Sequence, residues 1–459
     1  MPHLQCLLRH SAGRAALVAA VGLAAVLAAP EARAVPSFAQ QTGQPCTACH
    51  VGGYGPQLTP FGRSFKLHAY GATASWSGAQ NKFVPVSGMV IATFTNTAKD
   101  QSAPPANNMG VNDNFAVQEA DLFIAGKLAP GLGVMIQGTT DLIGHNTLLD
   151  NSEIRYARDV TLAGKDVTWG VSINNNPSTQ DVWNTTPTWR FPYVSSALAP
   201  APIDAPLLAG GLAHQVIGET GYLWIDSHFY LEAGGYQGLS ANALNVLNEG
   251  VGPGVVGTAP YWRLAYSREW NGQAAEVGLY GLSAGLSPDR SFTATDHYTD
   301  VAVDGSWQYI GSGKHVFGVN ASYIKETRKL DASYALQLSN FPKGRIDDFT
   351  LDFSYYYDRR YGLTTAFFRT TGSFDDGLYG PSPDAGSLNG KPNSTGWIVQ
   401  GDWTPFGRDE SWGRPWANVR LGLQYTAYTR FNGGVTNYDG FGRNASDDNT
   451  LTAFVWTAF

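Results

Sequence analysis

From about residue 86 to the end of the 459-residue chain, apolar and polar residues alternate one by one. Val167, Trp169, Val171 and Ile173 are interleaved with Thr168, Gly170, Ser172 and Asn174. Phe349, Leu351, Phe353, Tyr355 and Tyr357 are interleaved with Thr350, Asp352, Ser354 and Tyr356, and the stretches 317–323 and 419–427 behave alike. A period of two sends successive side chains to opposite faces of a strand, so each segment has one apolar and one polar face. The pattern predicts sixteen strands, near 86–96, 115–128, 132–142, 150–162, 166–175, 212–225, 228–236, 259–270, 273–284, 298–309, 314–326, 346–358, 361–372, 394–404, 416–431 and 450–459.

The connections decide between a soluble sandwich and a barrel. Short ones (Ala129-Pro130-Gly131, Gly164-Lys165, Asp226-Ser227, Asn271-Gly272 and Gly311-Ser312-Gly313) alternate with long ones at 97–114, 175–211, 237–258, 327–345, 372–392 and 432–449. Asn-Gly is among the strongest hairpin signals. A sandwich has no reason to alternate connection lengths, whereas an even-stranded outer-membrane barrel has short turns at one rim and long loops at the other. The stretch 405–414 is longer than this rule predicts. The chain closes on Phe454-Val455-Trp456-Thr457-Ala458-Phe459, a final strand ending on an aromatic residue. The fold class is therefore all-β: a sixteen-stranded antiparallel transmembrane β-barrel over 81–459, porin-like, with its apolar face in outer-membrane lipid and its polar face lining the lumen. An aromatic content of 12% and 53 glycines agree with this reading.

The first residues follow another pattern. Arg9 and Arg14 precede an apolar run over 15–29, and Ala32-Arg33-Ala34 has the form of a cleavage site. This predicts a secretory signal over 1–34 and a mature chain beginning at Val35. The apolar run falls short of the roughly 20 residues of a membrane-spanning helix. Cleavage removes Arg9, Arg14, Arg33 and Glu31, taking the net charge from −7 to −9. An acidic chain of this kind does not suit a nucleic-acid partner. Cleavage also removes Cys6 and leaves two cysteines, too few for a disulfide framework.

Those two cysteines fall in Cys46-Thr47-Ala48-Cys49-His50. C-x-x-C-H is the attachment signature of c-type haem: two thiols take the vinyl groups and the adjacent histidine faces the iron. A thioredoxin-like dithiol would leave His50 unexplained and lacks a βαβ context. The expected cofactor is one covalently bound haem c, held by Cys46 and Cys49 with His50 as proximal iron ligand. For the sixth position His68 is the nearby candidate, with Met89 or no strong ligand as alternatives. Thr59 and Pro60 open a short predicted helix whose Phe61, Phe65 and Leu67 are placed to pack on a porphyrin. Arg63 and Lys66 on it are either propionate partners or plain surface charge. A haem segment of 35–80 is too short to bury the group alone, so it must borrow walls from the rest of the chain.

The run Pro36-Ser37-Phe38-Ala39-Gln40-Gln41-Thr42-Gly43, the C-x-x-C-H pentapeptide, and Leu58-Thr59-Pro60-Phe61-Gly62-Arg63-Ser64-Phe65-Lys66-Leu67 ending at Tyr70-Gly71 together resemble the fused outer-membrane monohaem cytochrome c–porin proteins of iron-oxidising bacteria. The resemblance covers about residues 35–71, and the stretch Gly52–Gly55 departs from it. It implies a haem segment plugging a sixteen-stranded porin. It further implies one-electron transfer from an extracellular donor, often Fe(II), to a periplasmic acceptor such as a soluble cytochrome c. Cys46, Cys49 and His50 carry over. With Fe(II) as donor the activity would be that of an iron oxidase. Asp348, Asp352 and Asp358 are lumen carboxylates that either attract Fe(II) or supply ordinary porin polarity. The competing readings are a diffusion porin with a structural or sensing haem plug, and a peroxidase-like enzyme at an open haem.

Overall fold

The computed structural model describes residues 37–71, 85–311, 313–406 and 417–459; the expected signal at 1–34 lies outside them, as does most of the 405–414 connection. Eighteen hydrogen-bonded segments form one sheet, and two pairs of them are single strands with a local break. Asn146–Leu149 and Glu153–Leu162 both pair with Leu132–Asp141. Gly254–Val256 and Thr258–Trp270 both pair with Gln273–Ser287 and are separated by Gly257, whose φ of +70° suits glycine. Sixteen antiparallel strands result. The first, Val86–Thr97, pairs with the second, Asn114–Ala129, and with the last, Thr450–Ala458, so the sheet closes on itself. Closure leaves no unpaired edge.

The expected strands are recovered with shifted ends. The one expected from 212 starts at Val216, because Leu207–Ala209 forms a 3-10 turn whose backbone is held by wall carboxylates. The one expected as 150–162 is interrupted where Asp150 turns to meet His214 at 2.9 Å. Asn271 and Gly272 both have positive φ, which gives the tight hairpin the sequence announced.

The two faces of the wall differ as the alternation requires. Ile154, Trp169, Leu223, Leu264, Val277, Val301, Leu351, Phe353, Trp397 and Leu423 are exposed on the outside. A belt of this extent does not persist against water, and it is the lipid-facing surface of a transmembrane barrel. Near the short-turn rim it gives way to rings, with Phe229 on Tyr266 at 5.3 Å and Phe317 on Tyr355 at 4.9 Å. The inner face carries Arg155, Arg263 and Arg420 and the phenols of Tyr230, Tyr236, Tyr261, Tyr280 and Tyr356, all fully buried.

Lumen side chains become buried only when something fills the lumen, and two pieces of chain do so. One is the loop 175–215 between the fifth and sixth strands, which folds inward. Arg263 reaches Asp181 of this loop at 3.6 Å and the wall carboxylates Asp304 and Glu276 at 2.8 and 3.0 Å. Arg190 of the loop meets Asp348 at 2.7 Å, and Gln424 donates to the Val194 carbonyl at 3.0 Å. Asp348 is thus neutralised within the protein, and Asp352 accepts from Asn320 at 2.9 Å. The other piece is 37–71. The architecture is a closed, porin-like barrel with an in-folded loop and an internal N-terminal segment.

Candidate functional site

The N-terminal segment begins with the helix Ser37–Thr42 and continues into the single turn Cys46–Cys49. A helical turn brings residues three apart to one face, so Cys46 and Cys49 stand side by side. His50 leaves the turn in extended conformation while its N–H still bonds the Cys46 carbonyl at 2.8 Å. Val51 then pairs with Gln57 at 2.9 Å, closing the loop 51–57. Thr59 caps the helix Pro60–Leu67 as expected, its hydroxyl accepting from the Gly62 N–H at 3.2 Å, with Pro60 in the first turn. At Gly62 a Cβ would sit 2.3 Å from the Cys49 carbonyl oxygen, so only glycine lets the two helices approach this closely.

A cavity opens between this segment and the wall. Cys46, Cys49 and His50 line it together with Phe38, Tyr54, Leu58 and Phe65 of the segment and Met89, Phe123, Met135 and Trp456 of the barrel. No disulfide joins Cys46 and Cys49. Burial, then the neighbouring Cys46, pushes the Cys49 thiol up to about 12. A redox-active dithiol needs the opposite shift, so this environment argues against one. Burial first, with Arg420 adding and the Gly55 backbone opposing, holds the His50 imidazole down to about 4. It is neutral at physiological pH, the state required of a metal ligand. Its Nδ1 is sealed from solvent with no hydrogen-bond partner, as is the Tyr54 hydroxyl.

The segment touches the wall around its whole circumference. Gln41 accepts from Lys127 N–H on the second strand at 2.8 Å, and the Tyr70 hydroxyl donates to Glu153 on the fourth. Tyr222 on the sixth strand donates to the Leu67 carbonyl, and Gln308 on the tenth donates to the Leu58 carbonyl at 3.0 Å. Asn418 on the fifteenth donates to the Gly53 carbonyl at 2.8 Å, and the Tyr54 ring lies 4.5 Å from that of Trp456 on the last. Lys127, Gln308, Asn418 and Trp456 all lie close to the short-turn ends of their strands, so the segment plugs that half of the barrel. Plug and wall also meet closely at the Gly52–Gly55 stretch: a Cβ on Gly52 would stand 2.5 Å from the Tyr356 ring and 2.6 Å from Arg420.

Three sequence expectations change here. His68 is not among the residues lining the cavity; its Nδ1–H bonds the Ser64 carbonyl at 2.6 Å and its Nε2 faces Asp159 at 3.3 Å and Thr168 at 3.4 Å. As the C-cap of its helix it is turned toward the wall, away from the C-x-x-C-H group. Lys66 is not surface charge: it donates to the Thr179 and Asp181 carbonyls at 2.7 Å and to Asn184 at 2.9 Å, tying plug to in-folded loop. Burial, opposed by Glu153, brings its ammonium down to about 8. Arg63 is buried against Gln308 and the Leu58 carbonyl, and it does not line the cavity. Met89 does line it, with its sulfur accepting from the Trp456 indole at 2.8 Å. Met135 was missed, although alternation puts it on the inward parity of its strand with Gly133, which abuts Ala69 of the plug.

No protein-family model matches the chain, and no curated protein matches it in sequence. Among solved structures it is similar to OprB of Pseudomonas putida at high pH, with 12% identity, a TM-score of 0.47, and 84% of this chain and 97% of that one covered. It is also similar to an anion-selective porin from Comamonas acidovorans (11%, TM-score 0.44, 82% and 98%) and to the outer membrane channel DcaP of Acinetobacter baumannii (12%, TM-score 0.43, 83% and 99%).

Proposed function

We propose that this chain is an outer-membrane barrel holding one covalent haem c in its lumen, and that it passes single electrons from an extracellular donor to a periplasmic acceptor. The observation that carries the reading is the convergence of Cys46, Cys49 and a neutral His50 on one apolar cavity inside a closed barrel. The residues fit the group: two thiols one helical turn apart, an imidazole directly after them, and flat aromatic walls from Phe38, Phe65 and Phe123. Cys46 and Cys49 would form the thioethers and His50 would face the iron. The haem supplies a one-electron couple. The chain excludes water from it through the plug's aromatic residues, holds it near the short-turn mouth, and leaves the long loops to meet the donor. Short turns face the periplasm in barrels of this class, so the acceptor would dock on that side. Fe(II) is the donor class the sequence resemblance suggests, and with it the protein would act as an iron oxidase.

The test is a pyridine haemochrome assay on the purified protein, followed by anaerobic mixing with Fe(II). A c-type spectrum and rapid appearance of the reduced bands are expected. A haem reduced by dithionite but not by Fe(II) would overturn Fe(II) as donor. The second reading, a diffusion porin with a haem plug, is favoured by the closed porin-like barrel, and open-channel conductance in planar bilayers would support it. The fully buried lumen arginines speak against a wide water-filled pore.

A further inference from the structure

The eleventh and twelfth strands, His315–Lys329 and Lys343–Tyr357, run on past the apolar belt toward the long loops. On their outward face the belt ends in an aromatic pair, Tyr323 directly opposite Phe349. Its other end is marked by Tyr357, and from there to Phe349 the strand covers about 27 Å at ~3.4 Å per residue. In a wall tilted by about 40° this spans most of an apolar band about 25 Å tall. Beyond the aromatic pair the parity continues but the chemistry changes. Lys325 stands opposite Asp347, Thr327 opposite Arg345, and Lys329 opposite Lys343. On the tenth strand, Asp296–Tyr309, His297 stands opposite Lys329 from the other side. Lys325, Lys329, Lys343, Arg345 and His297 are all exposed. Two carboxylates lie close by in the chain: Asp347, which accepts from the Tyr323 hydroxyl at 2.8 Å and faces Arg345 at 3.8 Å, and Asp331, which opens the next helix. Among the described residues no ion pair engages Lys325, Lys329 or Lys343.

Like charges directly opposite on one face of a ladder repel and cost stability, so Lys329 against Lys343 is an unfavourable pair by itself. The cations answer no charge in the lumen, since the inward residues between them, Glu326 and Arg328, already pair with each other. Lysines that served only to solvate the rim would be spread around it. Instead, outward positions near the long-loop ends of strands further round are neutral, as at Asn96, Thr140, Gln237 and Thr258. We propose that this face binds a phosphate-bearing lipid headgroup of the outer leaflet, with Lys329 and Lys343 as the main donors and Lys325 and Arg345 at its lower edge. An anion between Lys329 and Lys343 turns their repulsion into two charge-assisted contacts. Position selects a lipid over a soluble anion. The cations continue the outward rows of lipid-facing Val301, Leu351 and Phe353, so one molecule reaches the apolar belt with its chains and the cations with its head. A charged membrane surface also concentrates the headgroup beside exposed ammonium groups, which hold a free ion only weakly in water. The inference does not depend on the haem reading.

The test is native mass spectrometry on the purified full-length chain in octyl glucoside, titrated with lipid A, a glucosamine lipid carrying phosphates, and with the same lipid stripped of its phosphates. A saturable complex with lipid A is expected, roughly tenfold tighter than with the stripped lipid and undisturbed by excess ammonium phosphate. The double variant Lys329→Gln/Lys343→Gln should bind lipid A roughly tenfold to thirtyfold more weakly. Arg268→Gln, which removes an exposed cation at the short-turn end of the eighth strand, should bind as wild type. Heat-modifiable mobility checks that each barrel is closed, and Lys325→Gln/Arg345→Gln tests the same face should the first double variant not assemble. Equal binding of the two lipids, wild-type affinity in the double variants, or an equal loss in Arg268→Gln would overturn the site. Displacement of lipid A by inorganic phosphate would overturn the lipid as its occupant.

Discussion

The plug and the in-folded loop occupy the same lumen by different means. The loop is fastened by charge: Asp181 with Arg263, and Arg190 with Asp348, each in a fully or largely buried setting. The plug is fastened by its backbone carbonyls, which accept from Tyr222, Gln308 and Asn418, by the polar side chains of Gln41, Arg63, Lys66 and Tyr70, and by rings. The plug supplies most of one side of the cavity, to which the loop adds only Asn184 and Trp189. With its carbonyls and polar side chains spent on the wall and loop, the plug turns Cys46, Cys49, His50, Phe38 and Phe65 to the cavity, and this is how a run of 35 described residues can present a surface that it could not enclose alone.

Replacing Cys49 with Ser should break the comparison most. Covalent haem should be lost, seen by in-gel haem staining, while heat-modifiable mobility shows the barrel still closed, since no wall strand depends on the thiols. Arg263→Leu attacks the loop instead. It leaves Asp181, Asp304 and Glu276 buried without their cation, at a cost of about 3–5 kcal/mol. A lower thermal midpoint and new channel openings in bilayers are expected, with haem content retained; unchanged conductance would show that the loop is not the closure. Gly62→Ala forces a methyl against the Cys49 carbonyl and should destabilise the plug by about 1–3 kcal/mol, read as a reduced haem yield at unchanged barrel yield. The smallest effect concerns the outer rim. Burial alone would lower the His214 pKa, but Asp150 at 2.9 Å and Glu249 at 3.8 Å outweigh it and hold it above the ordinary value. A raised histidine stabilises fully below pH 6.5 and loses that contribution as pH rises through its folded pKa. Amide protection factors around 148–152 and 212–215, corrected for the intrinsic pH dependence of exchange, should therefore be higher at pH 6 than at pH 8.5, and the His214→Gln variant should lose that difference.

Most of the wall was readable because alternation is a local property: a residue's parity fixes its face. Phe353 faces out and Asp352 in whatever the rest of the chain does. The placing of Cys46 beside Cys49 was readable for a related reason, since one helical turn within five residues sets it. What could not be read depends on which distant segments face each other. His68 is close to His50 in sequence, yet the helix ending at Leu67 turns it toward Asp159. Met135 is 85 residues from His50 in number, yet its strand forms a wall of the same cavity. The destination of the loop 175–215 was equally hidden, because nothing local distinguishes a loop that folds inward from one that stands in solvent. Its buried partners, Asp304, Asp348 and Glu326, sit on strands far along the chain.

The contact between Tyr54 and Trp456 joins residues near opposite ends of the chain. The plug is synthesised before any strand, yet its last wall partner arrives only with the final one. In the finished barrel the closing strand pairs with Val86–Thr97 and packs on the N-terminal segment, so seating the plug and sealing the cylinder share one surface. A chain whose N-terminal segment has been misfolded would offer its final strand less docking surface, so closure of the barrel itself would test the N-terminal segment.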